Sequence, residues 1–452
     1  MWATPRDRKL LDYLFTLPRL SGLTHRLSDG DNVDHKRWIT GQGCKPWRED
    51  NGRKPDRELR AFGTWTVDDP FLLPSNISQS PVLLQISCIR LGDHFASKGY
   101  SLTGLYSKPP EELFTAPLVV LNQGFTKAVF SDFPLRFQHS LQSFANPDGG
   151  DEKELLLLAF FLNSRLARYF AFHTSANLGT ERDKVHLDEV LNLPFFLPDH
   201  ECAQPDARKI LVQIAELSRK HHQDCLETAR KLEKAILHEQ SNLADWFPED
   251  ARTRCLLAAR LKKEMEADAE VLRKAVEPLI YRYFGLGDQE IALVEDTCDI
   301  FDKGDTPPTL DSARGAPLSR TLVVASDLLP YADMICATLN GWSSGTKKVV
   351  AKMAIHSPTG MALVELGQSK SLKAAEIMPD SSRVIEAAHR LQKASKSRVG
   401  RMEFLRHGWY FDGDRILIVK PARLGEWTRT SALNDAAELY AHIATSRQDK
   451  KA

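Results

Sequence analysis

The stretch Leu155–Leu162, LLLLAFFL, constrains this chain more than any other. A helix built from it has no polar face, so other elements of the same protein must cover it on every side. The run is stopped by Asn163, Ser164 and Arg165, far short of the roughly 20 residues that a bilayer crossing needs. Asp151 and Glu152 stand in front of it, acids suited to a helix N-terminus, and apolar residues continue beyond it. The expectation is a buried helix running through LLLLAFFLNSRLARYFAFH.

The rest of the chain is read around that helix. Residues 1 to about 150 are rich in Gly, Pro and Trp, with short β-type runs at Pro81 to Ile89 and Ala116 to Leu121, and read as an irregular, strand-bearing module. From Pro205 to about Phe284 apolar residues recur every three or four positions, as in Ile210, Ile214, Leu217 and later Leu261, Met265, Ala269, Leu272. The break at DWFPED makes this a long antiparallel helical pair. The segment DQEIALVED reads as a short helix with Asp288 as N-cap. KGDTPPTLDSARGAPLS, 303–319, has linker composition. The last unit, 320–446, reads as strand (RTLVVA), helix to about Asn340, two strands (VVAKMAIHS and MALVELG), helix (RVIEAAHRLQK), a hairpin turning at Asp412-Gly413-Asp414, and a helix from about Ser431. The fold class expected is α+β, with a module over 1–200, the helical pair and its closing helix over 201–302, the linker, and a small C-terminal α+β domain.

Charge narrows the function. With 60 basic and 60 acidic residues the chain carries no net charge, so it cannot coat a polyanion by bulk positive charge, and nucleic-acid contact would need locally segregated charge. Seven widely spaced cysteines without a CxxC pair argue against a zinc site and a disulfide framework, and fit a reducing cytoplasm. The N-terminal MWATPRDRKLL has charges where a signal peptide needs an apolar core, so secretion is not expected. There is no GxxxxGK[ST] loop, HExxH, GxSxG elbow or NPPY motif. Gly41-Gln42-Gly43 lacks the strand-before, helix-after setting of a dinucleotide turn, and reads as a link between strands. Asp148, Asp151, Glu152 and Lys153 superficially match a metal-dependent nuclease pattern, but helix-dipole preference explains acids at that position. His221 and His222 are adjacent, so their rings diverge on a helix and cannot share a metal. His221 falls on the apolar stripe. No catalytic or metal site is expected on this chain.

The ordered series LLLLAFFLNSRLARYFAFHTSANLGTERDKVHLDEVLNLPFFLPD, 155–199, resembles the C-terminal target-recognition region of type IIG and TaqI-like adenine-specific DNA methyltransferases. A buried helix with an LNS-type step, a polar Gly-containing loop and a closing LP segment carry the resemblance. WATPRDRKLLDYL, PVLLQ, the Ala-Val-Phe-Ser-Asp-Phe run and LIYRYFGLGDQEIALVED extend it over much of the chain, and the C-terminal DRILIVKPARLGEWTRTSALNDAAELYAHI resembles a domain appended to some of these proteins. The resemblance implies a DNA-binding specificity part of a restriction-modification or phage-defence system, with double-stranded DNA and a methylase domain or subunit as partners, and no membrane. In that family a methylase core holding S-adenosyl-methionine precedes the segment similar to Trp2–Leu14. Nothing lies upstream here, so the cofactor is expected on a separate domain or partner, and the chain as a split specificity subunit or a truncated product. The helical pair is similar, more loosely, to the spacers of type I specificity subunits. The alternative is an assembly subunit that docks methylase or nuclease partners through that pair without reading DNA.

Candidate DNA contacts follow from residue type. Arg165 and Arg168 are three apart and share a helix face. Asn163 and Ser164 beside them either satisfy neighbouring backbone groups, as buried polar groups must, or face DNA. The loop HTSANLGTERDK offers Thr174, Ser175, Asn177, Thr180, Arg182 and Lys184 around Gly179, a composition that suits phosphates and base edges and equally a solvated turn. Met1 to Arg60 holds 13 basic and 9 acidic residues, with Trp38 and Trp47 among Lys36, Arg37, Lys45 and Arg48. That mixture suits either stacking on nucleic acid or a small core. Arg390 to Arg429 holds 10 basic and 4 acidic residues. There Lys420, Arg423 and Arg429 cluster beside Trp427 as candidate phosphate contacts, with a protein-partner surface as the competitor.

Overall fold

The computed structural model describes residues 4–26, 37–48, 55, 58–78, 80–125, 127–176, 185–240, 249–302, 318–343, 346–370, 375–379, 381–394 and 408–449. The fold is α+β, and the chain divides into two compact units, Met1–Gly287 and Asp288–Ala452. The helical pair therefore belongs with the N-terminal elements and the short DQEIALVED helix with the C-terminal ones.

The first unit opens with α1 (Pro5–Thr16), capped by Thr4, whose side chain and backbone N–H both engage Asp7. Short strands follow: β1 (Thr24–Arg26), β2 (Trp38–Gln42), β3 (Lys45–Arg48) and β4 (Pro70–Leu72). Next come α2 (Pro81–Ser87), β5 (Ile89–Arg90), α3 (Leu91–Lys98), β6 (Tyr100–Ser107), β7 (Leu118–Asn122), β8 (Ala128–Ser131), β9 (Arg136–Phe137) and β10 (Leu141–Ala145). They form three sheets: β1-β2-β10-β7-β8, the antiparallel pair β3-β6, and β5-β4-β9. In the largest sheet β10 runs antiparallel to both neighbours, with Phe144 opposite Thr40 of β2 and Val119 of β7. One core, including Phe71, Phe95, Leu105, Phe114, Leu118 and Phe137, fills the space between the sheets. Gly43 follows β2 so close to Phe137 that a Cβ would sit 2.3 Å from its carbonyl oxygen, a reason for glycine that involves no phosphate.

The apolar run is two helices: α4 (Glu152–Leu162) and α5 (Arg165–Thr174), bent by 58° to each other. The single helix expected fails at the LNS step for a local reason. Asn163 ends α4, and Ser164 adopts extended backbone and caps α5, its Oγ accepting the Ala167 N–H at 3.2 Å. Leu155, Leu157, Leu158, Phe161 and Leu162 are buried, as the absence of a polar face requires. Each contributes about 1.5–3 kcal/mol on burial. After α6 (Leu187–Leu191) the pair α7 (Ala207–Gln240) and α8 (Glu249–Tyr283) runs as expected, and α4 packs against both. The end of α8 is fixed by aromatics: Phe284 stacks on Phe161 at 5.0 Å, Tyr283 on Phe196 at 5.1 Å, and the Tyr283 hydroxyl donates to the Phe196 carbonyl at 2.8 Å. The segment Pro81–Ile89 corrects another expectation. It is mostly the helix α2, because Ser80 caps it, accepting the Leu83 N–H, and Pro81 supplies a preformed first turn.

The second unit contains α9 (Asp288–Asp296), α10 (Leu329–Trp342), β11 (Lys348–His356), β12 (Met361–Ser369), β13 (Glu376–Ile377), α11 (Ser382–Ala394), β14 (Gly408–Asp412), β15 (Arg415–Pro421) and α12 (Arg429–Asp449). Its sheet has the order β13-β11-β12-β15-β14. α10 and α12 cover one face around Tyr331, Ile335, Met353, Ile418 and Trp427, and α11 covers the other around Val384, Leu363 and Leu417. The expected strand RTLVVA instead connects two short 3-10 turns, Leu318–Arg320 and Ala325–Leu328, and makes one isolated bridge, Leu322 to Arg423, beyond the end of β15. The linker 303–319 lies outside the described residues except for Leu318 and Ser319. Among the described residues no single helix is long and apolar enough to cross a membrane.

Candidate nucleic-acid interface

The two tryptophans of the basic N-terminal stretch have different fates. Trp38 is fully buried in β2, with its ring 5.9 Å from Phe195, so it is a core residue. Trp47 is half-buried on β3 and stacks on Tyr106 of β6, ring centroids 5.9 Å apart and planes 14° from parallel. Lys45 and Trp47 both meet Tyr106, although the β3–β6 register shifts between Lys45 and Pro46 and again between Pro46 and Arg48. The Lys45 ammonium lies 5.0 Å from the centre of the Tyr106 ring. Arg48, exposed at the end of β3, donates to the Lys98 carbonyl at 3.3 Å. Leu105 of β6 points into the core, so the ribbon has one buried and one outward side. Among the described residues no carboxylate pairs with Lys45 or Arg48.

A second cluster of cations and an aromatic in the same unit shows the contrast. Lys108 and Arg136 lie 5.1 and 5.0 Å from the Trp65 ring, but Lys108 is bound to Glu111 at 2.5 Å and Arg136 to Asp69 at 3.1 Å. Burial pushes the Glu111 carboxyl up, and bonds from Lys108 and the Trp65 indole outweigh it and hold the group below its ordinary value. These cations serve the fold.

The LNS step does the same. The Asn163 amide oxygen accepts the Ala128 N–H at 2.9 Å, and its nitrogen donates to the Ala128 and Ala159 carbonyls at 2.7 and 2.9 Å. It thus pairs with the open edge of β8 as a neighbouring strand would. Ser164 Oγ donates to the Phe161 carbonyl at 2.6 Å. Of the two roles open to these residues from sequence, the backbone one is the one observed. Arg165 begins α5, its N–H donating to Glu277 of α8 at 2.8 Å; it and Arg168 are half-buried, and each already interacts with another group of the chain. Burial pushes the Glu277 carboxyl up, despite the Arg165 N–H and Arg273 beside it.

Thr174 is exposed and its hydroxyl donates to the Phe170 carbonyl at 2.7 Å. Ser175 donates to Glu189 Oε1 at 2.8 Å, and the Ala176 N–H to the same oxygen at 3.1 Å, while Glu189 Oε2 accepts the His186 N–H at 2.7 Å. One carboxylate therefore holds the backbone on both sides of 177–184. The candidates Asn177, Thr180, Arg182 and Lys184 lie outside the described residues.

The C-terminal basic cluster requires correction. Lys420 is fully buried, its ammonium donating to Asp435 at 2.5 Å, Ser431 Oγ at 2.7 Å and the Glu426 carbonyl at 3.2 Å, between the Tyr331 and Trp427 rings. All three of its donors are spent inside the unit, so it cannot contact DNA phosphate. Burial lowers its pKa, opposed by Asp435. Arg429 is ion-paired to Glu295 at 2.8 Å and Asp296 at 3.3 Å. Arg415 pairs with Glu365 at 2.6 Å, and Arg390 with Glu386 and Asp412. Much of the local excess is thus balanced by acids from other segments. Arg423 alone of the three candidates is exposed.

Two constellations resemble catalytic ones and are structural. Asp7 accepts the Tyr169 hydroxyl at 2.9 Å and lies 3.5 Å from His173 Nε2, but Asp7 and Tyr169 are buried and the His173 side chain is 7% exposed, so the contacts tie α1 to α5. Burial lowers the His173 pKa, opposed by Asp7. Burial pushes the Cys44, Cys88 and Cys336 thiols up to about 12, so they are not thiolates at neutral pH. His221 and His222 diverge as expected: His221 Nε2 meets Cys225 Sγ at 3.4 Å, and His222 lines a separate cavity. Sequence alone does not point to Tyr106, because its pairing with Trp47 is made across strands distant in the chain. No protein-family model and no curated protein matches the chain.

Proposed function

We propose that this chain is the DNA-binding, target-recognition part of an adenine-specific DNA methyltransferase belonging to a cytoplasmic restriction-modification or phage-defence system. Methyl transfer, and with it S-adenosyl-methionine, would belong to a methylase domain or partner subunit. The observation that carries the reading is the β3-β6 ribbon, with its stacked Trp47–Tyr106 pair, Lys45 over the Tyr106 ring and the exposed Arg48 at the end of β3. A two-stranded ribbon is of a size the major groove admits, and cations on it would neutralise phosphates or reach guanine edges while the rings contact sugars and thymine methyls. The clamp of Glu189 on both sides of 177–184 supports a second point of contact there.

Selection from a pool of randomised duplexes tests this. The wild-type chain should enrich one sequence and Trp47→Ala should lose that enrichment; no enrichment by the wild-type chain rejects the reading. A second reading, docking of partners through the helical pair without contact to DNA, is favoured by Val212 and Val271, which stand 45% and 66% exposed on α7 and α8. It expects partner capture that survives Trp47→Ala and no duplex binding.

A further inference from the structure

The sheet of the second unit ends in two unlike edges. β13 is two residues long, and its Glu376 pairs with Lys352 of β11 at 3.7 Å, so that edge is short and charged, as protected edges are. β14, GWYFD, forms the other edge and has no Lys, Arg or Pro to blunt it. Trp409 and Phe411 lie on the α12 side and form one cluster with His442 of that helix. The Trp409 ring is 5.7 Å from Phe411 and 5.0 Å from His442, and Phe411 stacks on His442 at 5.8 Å. Even so, Phe411 stays 45% exposed, and His442 is exposed beside it. Tyr410, between them, joins the core on the α11 side.

The hairpin turn sets which backbone groups of β14 face outward. Gly413-Asp414 is a two-residue turn with Gly413 at φ +64°, so Asp412 and Arg415 form a hydrogen-bonded pair, and Tyr410 with Leu417 is the next. Trp409 and Phe411 therefore direct their N–H and C=O groups away from β15. Among the described residues no backbone group bonds to them there. If this edge pairs with itself antiparallel about an axis at Tyr410, Trp409 of each copy meets Phe411 of the other. Both outward residues then exchange their backbone bonds, and the same two contacts are aromatic cross-strand pairs on the α12 side. Asp412, held by Arg390 at 2.8 Å, meets Gly408, so no like charges are opposed. A register centred on Phe411 would instead run Trp409 into the turn at Gly413. The register that satisfies both outward residues within the strand is thus the one that pairs the aromatics, a self-complementarity expected of a two-fold interface. We infer that the free edge of β14 pairs with β14 of a second copy of this chain, joining the two sheets into one continuous sheet about a two-fold axis. The inference rests on the second unit alone and does not depend on DNA binding by the first.

Sedimentation equilibrium of the full chain without DNA tests it. The 50.9 kDa chain should reach a dimer mass, half-associated at or below about 10 μM, with no larger species. Phe411→Lys puts a charge on the edge, and Phe411→Pro removes an N–H that points away from β15, so the β14-β15 ladder keeps its bonds. Each should raise the dissociation constant at least about tenfold while the circular dichroism spectrum stays unchanged. Tyr410→Cys brings two sulfurs to the axis, where facing Cα atoms of a non-hydrogen-bonded pair lie about 4.5 Å apart, so mild oxidation should give more covalent dimer than in the wild type. A chain still monomeric at about 100 μM overturns the inference and leaves the edge to a partner of other sequence or to none. A dimer that neither folded Phe411 variant weakens, or one in which Tyr410→Cys links no better than the wild type, overturns it as well.

Discussion

Replacing Asn163 by alanine separates the structural from the DNA-reading role of the LNS step. The side chain makes three hydrogen bonds, two of them to the backbone of Ala128, which is 1% exposed at the edge of the large sheet. Truncation therefore strands a backbone N–H and a carbonyl where water has little access. Each lost neutral bond costs about 1 kcal/mol net, and an unsatisfied buried group about 1–3 kcal/mol, so Asn163→Ala should destabilise the first unit by about 2–4 kcal/mol. For a unit spanning Met1–Gly287, with about 2.1 cal/mol/K of unfolding entropy per residue, that is a fall in Tm of about 3–7 °C. Asn163→Asp keeps an acceptor for the Ala128 N–H but sets a second oxygen against the Ala128 and Ala159 carbonyls, so it should be at least as damaging. Urea and thermal unfolding of the full chain, followed by circular dichroism, read both variants. Below the transition, folded Asn163→Ala should bind duplex as the wild type does. A loss of stability under about 0.5 kcal/mol, or a loss of DNA affinity at unchanged Tm, would refute this reasoning.

Further expectations concern the buried charges. Glu277 has a folded pKa raised above 4.5, chiefly by burial. The folded state therefore holds its proton more tightly than the unfolded chain, and its contribution is complete below the unfolded value and fades as pH rises through the folded one. Glu277→Gln should flatten the decline in stability above pH 4.5, measured as the urea midpoint against pH, and an unchanged slope counts against the assignment. Lys420→Met leaves Asp435 buried with its counter-charge gone and should cost about 3–5 kcal/mol in urea unfolding, whereas Lys420→Met combined with Asp435→Leu should recover much of it. Equal destabilisation by the single and double variants would show that packing, not charge, dominates there. Arg423→Ala should leave stability within about 0.5 kcal/mol of wild type, since its side chain is exposed.

The helical pair was legible because its apolar positions recur over a length no strand reaches, and β11, β12, β14 and β15 because alternation and the Asp412-Gly413-Asp414 turn agreed, whereas RTLVVA has a strand's composition and no strand forms there. Pro81–Ile89 misled because a short apolar run fits a strand and a buried helix equally well; Ser80-Pro81 was the signal that separated them. The same applies to Asn163-Ser164, where a cap residue inside an apolar run marks a helix boundary. The candidate site was harder to read. Counting charges along the chain cannot find ion pairs made across it, such as Arg415 with Glu365 or Lys420 with Asp435, so the basic cluster around Arg390 to Arg429 looked freer than it is. Nor can sequence say which of two tryptophans among cations is core: Trp38 lies on an interior strand of the large sheet, fully buried, and Trp47 on a ribbon with an outward side.

The central claim, that the first unit reads duplex DNA through the β3-β6 ribbon, is tested most directly by the salt dependence of duplex affinity. Log affinity against log salt between about 50 and 200 mM should fall steeply for the wild-type chain, and Lys45→Ala should reduce the slope by about one. Absence of duplex binding at about 50 mM salt, or a slope that Lys45→Ala leaves unchanged, would contradict it.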